Sequence, residues 1–392
     1  MAKIWYSIKH STLAKNVIIT TFAFAMLGFI AFVAVSIKPL NPLAMSVKNF
    51  SFTDVYYSIL DEIAEPDTSM AVTIVDMTQL YRRGQLAQVL EDIQSCNPKV
   101  VGVDVVFDVE KEDFDGNDSL VALATQFPNM IFALKLLDYE GDSIGYTTEI
   151  HSFFKKYVDF KEGFVNVPRG GQYDGMKRVI PLQVNSLGEE VPSMVAQAVS
   201  CYVGDDRWEK GGKDDVEINF CPKDFWVLQP NEVLDHPELI EDRIVLFGAM
   251  YEDADFHWTP VGKISGVKLL AYGIQTLLER NEVKTLPSFP LFVISFCFTL
   301  LIFSLQMKYR NIMWASPNLF VRFVIGSTYI VNILTFLFTS VFLGICFLVF
   351  YFTHVHINLG WTLASLPFLF TSRNLYEALV SYIDAKIDNS RK

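Results

Sequence analysis

Four side chains in this sequence have the types and positions to build a polar site: Asp76, Asp104, Asp255 and His257. Asp76 closes the apolar run 71–75 (AVTIV), and Asp104 interrupts the run 100–107 (VVGVDVVF). Asp255 and His257 lie in the loop 251–260, just past a third apolar run, 243–248 (RIVLFG). Carboxylates and an imidazole at such places serve two kinds of chemistry. Together they line a ligand pocket, because ligands of open parallel sheets collect beyond the carboxyl ends of the strands. Separately they cap helices or fix loops by accepting backbone N–H bonds. Catalysis is the weaker reading. Asp76 with Asp104 has the form of an acid–base pair, yet such pairs at strand ends are common without chemistry. Asp255 with His257 offers two metal ligands and no third. No GxSxG elbow, phosphate-binding loop or GxGxxG turn opens a helix. No catalytic residue, metal or cofactor is expected.

The elements that must position these side chains follow from periodicity. Residues 71–76 read as a strand, and 84–95 (GQLAQVLEDIQS) put Leu86, Val89, Leu90 and Ile93 on one helical face. After the Asn97-Pro98 break, the run from Val100 reads as a second strand, which makes a βαβ unit. Helices are expected over 119–126, 191–202 and 266–280, and strands over 130–135, 216–220, 225–228 and 243–248. Gly170-Gly171 sits in a polar turn. An amphipathic helix over 51–65 precedes the first strand. The fold expected is α/β, a mixed sheet with helices on both faces, with Asp76 and Asp104 on neighbouring strands.

Hydropathy frames this domain with membrane spans. Residues 17–37 carry no charge over about 21 residues, enough to cross a ~30 Å hydrocarbon core. That length exceeds the apolar core of a cleavable signal peptide and favours an uncleaved anchor. A second span is expected at 289–307. Between Arg322 and Arg373 lie 50 residues without Lys, Arg, Asp or Glu. That is too long for one helix, so spans are expected at 323–350 and 355–371, with a hairpin at 353–360. The expectation is four transmembrane helices, one before the domain and three after it. Lys3, Lys9 and Lys15, then Lys308, Arg310 and Arg322, then Arg373, Lys386, Arg391 and Lys392 flank the spans. Placing all three groups in the cytoplasm leaves 1–16 and 373–392 inside and exports 41–286.

Charge divides along the same lines. Residues 41–286 hold 41 acidic and 21 basic side chains, a net of −20, against +8 elsewhere and −12 for the chain. An acidic exported domain argues against nucleic acid or anionic lipid as its ligand. Cys96, Cys201 and Cys221 fall in it; Cys201–Cys221 is the pair to test for a disulfide, with three unpaired thiols as the alternative. No CxxC or Cys/His spacing marks a metal site.

Taken in order, several segments resemble the CHASE domain of type 2, a sensory extracellular module associated with cyclases and histidine kinases. They are 52–57 (FTDVYY), Ile74-Val75-Asp76, Arg83, 99–107 (KVVGVDVVF), 163–166 (GFVN), Asp174-Gly175 and Lys177-Arg178. The set closes with 243–248 (RIVLFG), Asp255, Thr259-Pro260 and Gly266-Val267. The resemblance covers about 48–282 and extends to one span before the domain and three after it. Where the family often has a His-Ala pair in the closing helix, this chain has Leu270-Ala271. About 20 residues follow Arg373, so the expected form is a stand-alone sensor without an output domain. Leu375, Leu379, Tyr382, Ile383 and Ile387 give that tail helical spacing.

The resemblance implies a sensor or receptor-like protein of a bacterial cytoplasmic (inner) membrane. An undefined extracytoplasmic signal would reach a homodimer or a separate partner protein. An envelope scaffold is the alternative, and a hydrolase using Asp76 and Asp104 the third.

Overall fold

A computed structural model describes residues 11–36, 51–141, 144–167, 175–210, 215–221, 223–252, 255–357 and 360–389. Lys3, Lys9, Arg391, Lys392, Gly170, Gly171, Asp174 and the end of the first expected span lie outside them. The chain divides into two compact units, Thr53–Val283 and the flanking Met1–Phe52 with Lys284–Lys392.

In chain order, α1 (Thr12–Ser36) and α2 (Phe52–Ile63) precede β1 (Asp67–Asp76), α3 (Arg83–Ser95), β2 (Val100–Val103) and α4 (Phe114–Gln126). Then come β3 (Met130–Tyr139), β4 (Tyr146–Ile150), β5 (Lys161–Phe164), β6 (Val179–Pro181), β7 (Gln183–Ser186) and β8 (Glu189–Pro192). After α5 (Met194–Val203) and α6 (Arg207–Lys210) follow β9 (Asp215–Glu217), β10 (Lys223–Leu228) and β11 (Ile244–Gly248). The hairpin β12 (Phe256–Thr259) and β13 (Gly262–Ser265) leads into α7 (Gly266–Glu279). The flanking unit resumes with β14 (Lys284–Thr285), α8 (Ser288–Trp314), α9 (Thr328–Thr353), β15 (Val355–His356), α10 (Gly360–Ser365) and α11 (Phe368–Asn389).

The main sheet runs β10-β1-β11-β2-β3-β4-β7-β8, with β5 also on β3. The strands β10, β1, β11, β2 and β3 are mutually parallel, and β4 turns antiparallel on β3. This corrects one expectation. The strands bearing Asp76 and Asp104 are not neighbours, because β11 is inserted between them, with Val245 facing Thr73 on one side and Val101 on the other. The β1–α3–β2 crossover leaves a gap one strand wide, and the wholly buried β11 fills it.

Side chains alternate across this sheet as the pleat requires. Val75, Val101, Val103, Val245, Phe247 and Phe132 join Leu86, Leu90 and Ile93 of α3 and Leu120 and Leu123 of α4 in one cluster. On the opposite face α5 and α7 close in: a Cβ on Gly102 would lie 3.2 Å from Met194 Sδ, and one on Gly248 would lie 2.9 Å from Val267 Cγ2. Helices therefore cover both faces. Arg83 pins the first face. It donates to Asn117 Oδ1 (2.6 Å) and to the Val109 carbonyl, and its guanidinium lies 4.8 Å from the Phe153 ring centroid. Burial lowers its pKa, against the opposing pull of Asp108, Asp113 and Glu110.

In the flanking unit, α1, α8 and α9 are the three helices long and apolar enough to cross a membrane among the described residues. Their contacts set their directions. Asn16 donates to Ser304 Oγ (3.0 Å) while Phe24 meets Phe292 edge-on, so α1 and α8 are antiparallel. Gln306 donates to Thr335 (2.5 Å) and Phe298 stacks on Phe342, so α9 is antiparallel to α8. Among the described residues no single helix of spanning length covers the fourth span expected at 355–371. That stretch holds β15, the six-residue α10, a break at Leu366-Pro367 and the start of α11. Pro367 lacks an N–H and its ring clashes with the preceding turn, which interrupts the helix. The broken helix runs parallel to α8: Ser365 Oγ lies 3.1 Å from Thr299 Oγ1, and Leu369 clusters with Phe303.

Candidate functional site

The site is built from the carboxyl edge of the parallel strands. At the end of β1, Asp76 Oδ1 accepts hydrogen bonds from Thr78 N–H (3.0 Å), Thr78 O–H (2.5 Å) and Met250 N–H (3.0 Å). Thr78 Oγ1 also accepts from Tyr251 N–H (3.1 Å). The buried Asp76 is thus committed to backbone, and it fixes the chain leaving β11. That is loop anchoring, the second of the two kinds of chemistry open to it.

Asp104 follows β2 and has a different environment. Its own N–H is bonded to the Phe247 carbonyl (2.8 Å), and no described residue donates to its carboxylate. A Cβ on Gly248 would lie 3.1 Å from the Asp104 Cβ, so the absence of a side chain at 248 leaves room for the carboxyl. Burial pushes the Asp104 carboxyl up to about 7, the nearby Asp255 adds to the rise, and His257 opposes it. Near neutral pH the group therefore passes between donor and acceptor.

Asp255 and His257 complete the cluster. Asp255 Oδ2 accepts from the Gly266 N–H (3.1 Å), the first residue of α7, whose N-cap is Ser265. A Cβ at 266 would fall 2.4 Å from that oxygen, so the close approach requires glycine. An anionic carboxylate there also complements the helix dipole. His257 Nε2 stands 3.7 Å from Asp255 Oδ1. The structure therefore brings Asp104, Asp255 and His257 together at the first turn of α7 and sets Asp76 to anchor the loop beside them. Among the described residues no group of three or more His, Cys, Asp and Glu side chains could hold a metal ion.

Cys201 and Cys221 are both free thiols. The two are not joined to each other. Cys201 Sγ, near the end of α5, lies 2.8 Å from Lys161 Nζ of β5, and the Cys221 N–H donates to Asn219 Oδ1.

A second charged cluster escaped sequence reasoning. The buried Glu162 of β5 has Oε2 at 2.8 Å from His151 Nδ1 and 3.0 Å from Lys155 Nζ, while Oε1 accepts from Ser152 N–H (2.9 Å). His151 Nε2 lies 2.9 Å from Glu149 Oε2. The Glu-x-His spacing of Glu149 on β4 and His151 just past it is the local signal, and nothing local pairs it with Glu162. A buried carboxylate with three partners is what a pinned junction requires.

A family model described as the CHASE2 domain matches residues 29–305. Comparison with curated proteins and with solved structures gives no match.

Proposed function

The chain belongs to the CHASE2 domain family, and from that premise we propose that it is a multi-pass membrane sensor acting through a separate partner or a homodimer. In this reading the domain Thr53–Val283 is extracytoplasmic and meets its signal at Asp104, Asp255 and His257. One observation carries the reading: these three groups meet around the first turn of α7, and the chain leaving α7 continues through β14 into α8, a helix of membrane-spanning length. A signal that changes charge or contacts there has differential free energy for two positions of α7, which a switch requires.

The topology fits the basic residues. Asn16 bonds Ser304, Gln306 bonds Thr335 and Lys15 Nζ lies 5.6 Å over the Tyr376 ring, which supports reading Lys15, Lys308 and Arg322 as gathered toward one end of the flanking unit. Assigning that end to the cytoplasm of a bacterial inner membrane puts both termini inside. The broken helix then returns the chain to the first side, in place of a continuous fourth span.

The experiment is crosslinking in the native membrane, followed by mass spectrometry of what co-purifies with wild-type and with Asp104→Asn. A sensor predicts cytoplasmic or self crosslinks whose yield changes with the substitution. An envelope scaffold predicts envelope-assembly partners whose yield does not change, and that outcome would sink the sensor reading.

A further inference from the structure

We infer that the turn after α9, residues 354–357, is a clasp that holds the segments 51–52 and 284–285 of the flanking unit together and against α9, so that the two segments are coupled to one another. At the outgoing end, the Lys284 N–H donates to the His354 carbonyl (2.8 Å), and β14 pairs in parallel with β15, Lys284 opposite Val355 and Thr285 opposite His356. At the incoming end, Ser51 Oγ lies 3.3 Å from His356 Nε2, with both residues buried. Phe52 is buried with Cys346, against Phe342, Leu343 and Phe347 of α9 and Ile357 of the turn. His354 shapes the turn. It ends α9 in the left-handed region (φ 53°), where its N–H still reaches the Phe350 carbonyl (2.8 Å). That backbone conformation is uncommon for a residue with a side chain and persists where surrounding contacts hold it.

Hydrogen bonds continue on either side of the clasped segments. The Val283 N–H is bonded to the Glu217 carbonyl (3.1 Å), and the next N–H, of Lys284, is bonded in the clasp. On the incoming side Phe52 belongs to the clasp, Thr53 is buried, and Asp54 is held by Arg178 Nε (2.8 Å). Loosening of one segment at the clasp is therefore felt by the other, through the turn that both contact. The clasp does not depend on where the signal binds.

Hydrogen exchange on the full chain in lipid nanodiscs tests this, with the peptide covering β11 as the internal reference. Lys284→Pro deletes one clasp donor at the outgoing end. Exchange of the peptide covering 51–57, remote in sequence, is expected to rise at least threefold. Ser51→Ala cuts the incoming end, and the peptide covering 283–286 should respond in the same direction, since coupling is reciprocal. If each substitution alters only its own segment, the clasp is overturned. Should Lys284→Pro fail to fold, Ser51→Ala decides alone, because it removes only a hydroxyl. Neither readout involves intracellular crosslinks, so failure here is distinct from failure of the sensor reading.

Discussion

The ends of β1 and β2 carry the same residue on parallel strands of one sheet, yet Asp76 and Asp104 do different work. Asp76 meets three donors on a single oxygen and becomes part of the backbone scaffold. Asp104, one strand beyond β11, meets no donor among the described residues and faces another carboxylate and an imidazole. The difference lies in what the neighbouring loops bring. Thr78 and Met250 turn their donors onto Asp76, whereas Asp104, packed against the bare backbone of Gly248, has Asp255 and His257 as its charged neighbours. A carboxylate met by donors is a structural part; a desolvated one without them is a titrating group.

Replacing Phe247, the buried β11 residue immediately before Gly248, should erase the comparison altogether. Phe247→Ala is expected to cost about 3–5 kcal/mol by the usual price of an aromatic core truncation, read by denaturant unfolding. Asp76→Ala should cost about 1–3 kcal/mol, because it removes the acceptor of the Thr78 N–H and O–H and leaves the Met250 N–H with Thr78 Oγ1 alone. Asp76→Asn should cost less, since its amide oxygen still accepts. An equal cost for the two would remove the anchoring role.

Asp104 separates from Asp76 by its pH dependence. Its folded-state value, about 7, lies above the ordinary 3.8. Its contribution is therefore fully present below about pH 4 and lost as pH rises through 7. Wild-type protein should lose about 1–2 kcal/mol between pH 5 and 8 through this group, after discounting for partial solvent access. Asp104→Asn should lack that slope and melt higher than wild-type at pH 8, with the gap narrowing toward pH 5. Parallel melting curves across that range would place Asp104 in the same class as Asp76.

The smallest effect belongs to His257, the neighbour that favours ionised Asp104. His257→Gln should move the Asp104 midpoint upward by roughly half a pH unit, followed as the pH at which the Asp104→Asn stability difference is half developed. A downward move would mean that His257 acts on Asp104 in the opposite sense.

Much of this was legible without coordinates. The βαβ opening, the strand-end positions of Asp76 and Asp104, and the long apolar helices follow from period, run length and charge. What escaped is non-local. RIVLFG reads as a buried strand, but nothing in those residues says that it enters between β1 and β2. The uncharged stretch after Arg322 reads as two spans, and the break at Pro367 turns the second into a short helix and a longer one. Glu162 and His151 meet only because β4 and β5 both pair with β3.

The division has a physical cause. Helix and strand periods, membrane-spanning length and the α/β class depend on residues a few positions apart, where sterics and hydropathy act along the chain. These the sequence determined alone. Strand order, the divergence of Asp76 from Asp104, and the meeting of Ser51, Lys284 and His356 at one turn depend on groups far apart in the chain. Only burial and hydrogen-bond satisfaction across the folded molecule select among the possible pairings, so the tertiary structure decided them.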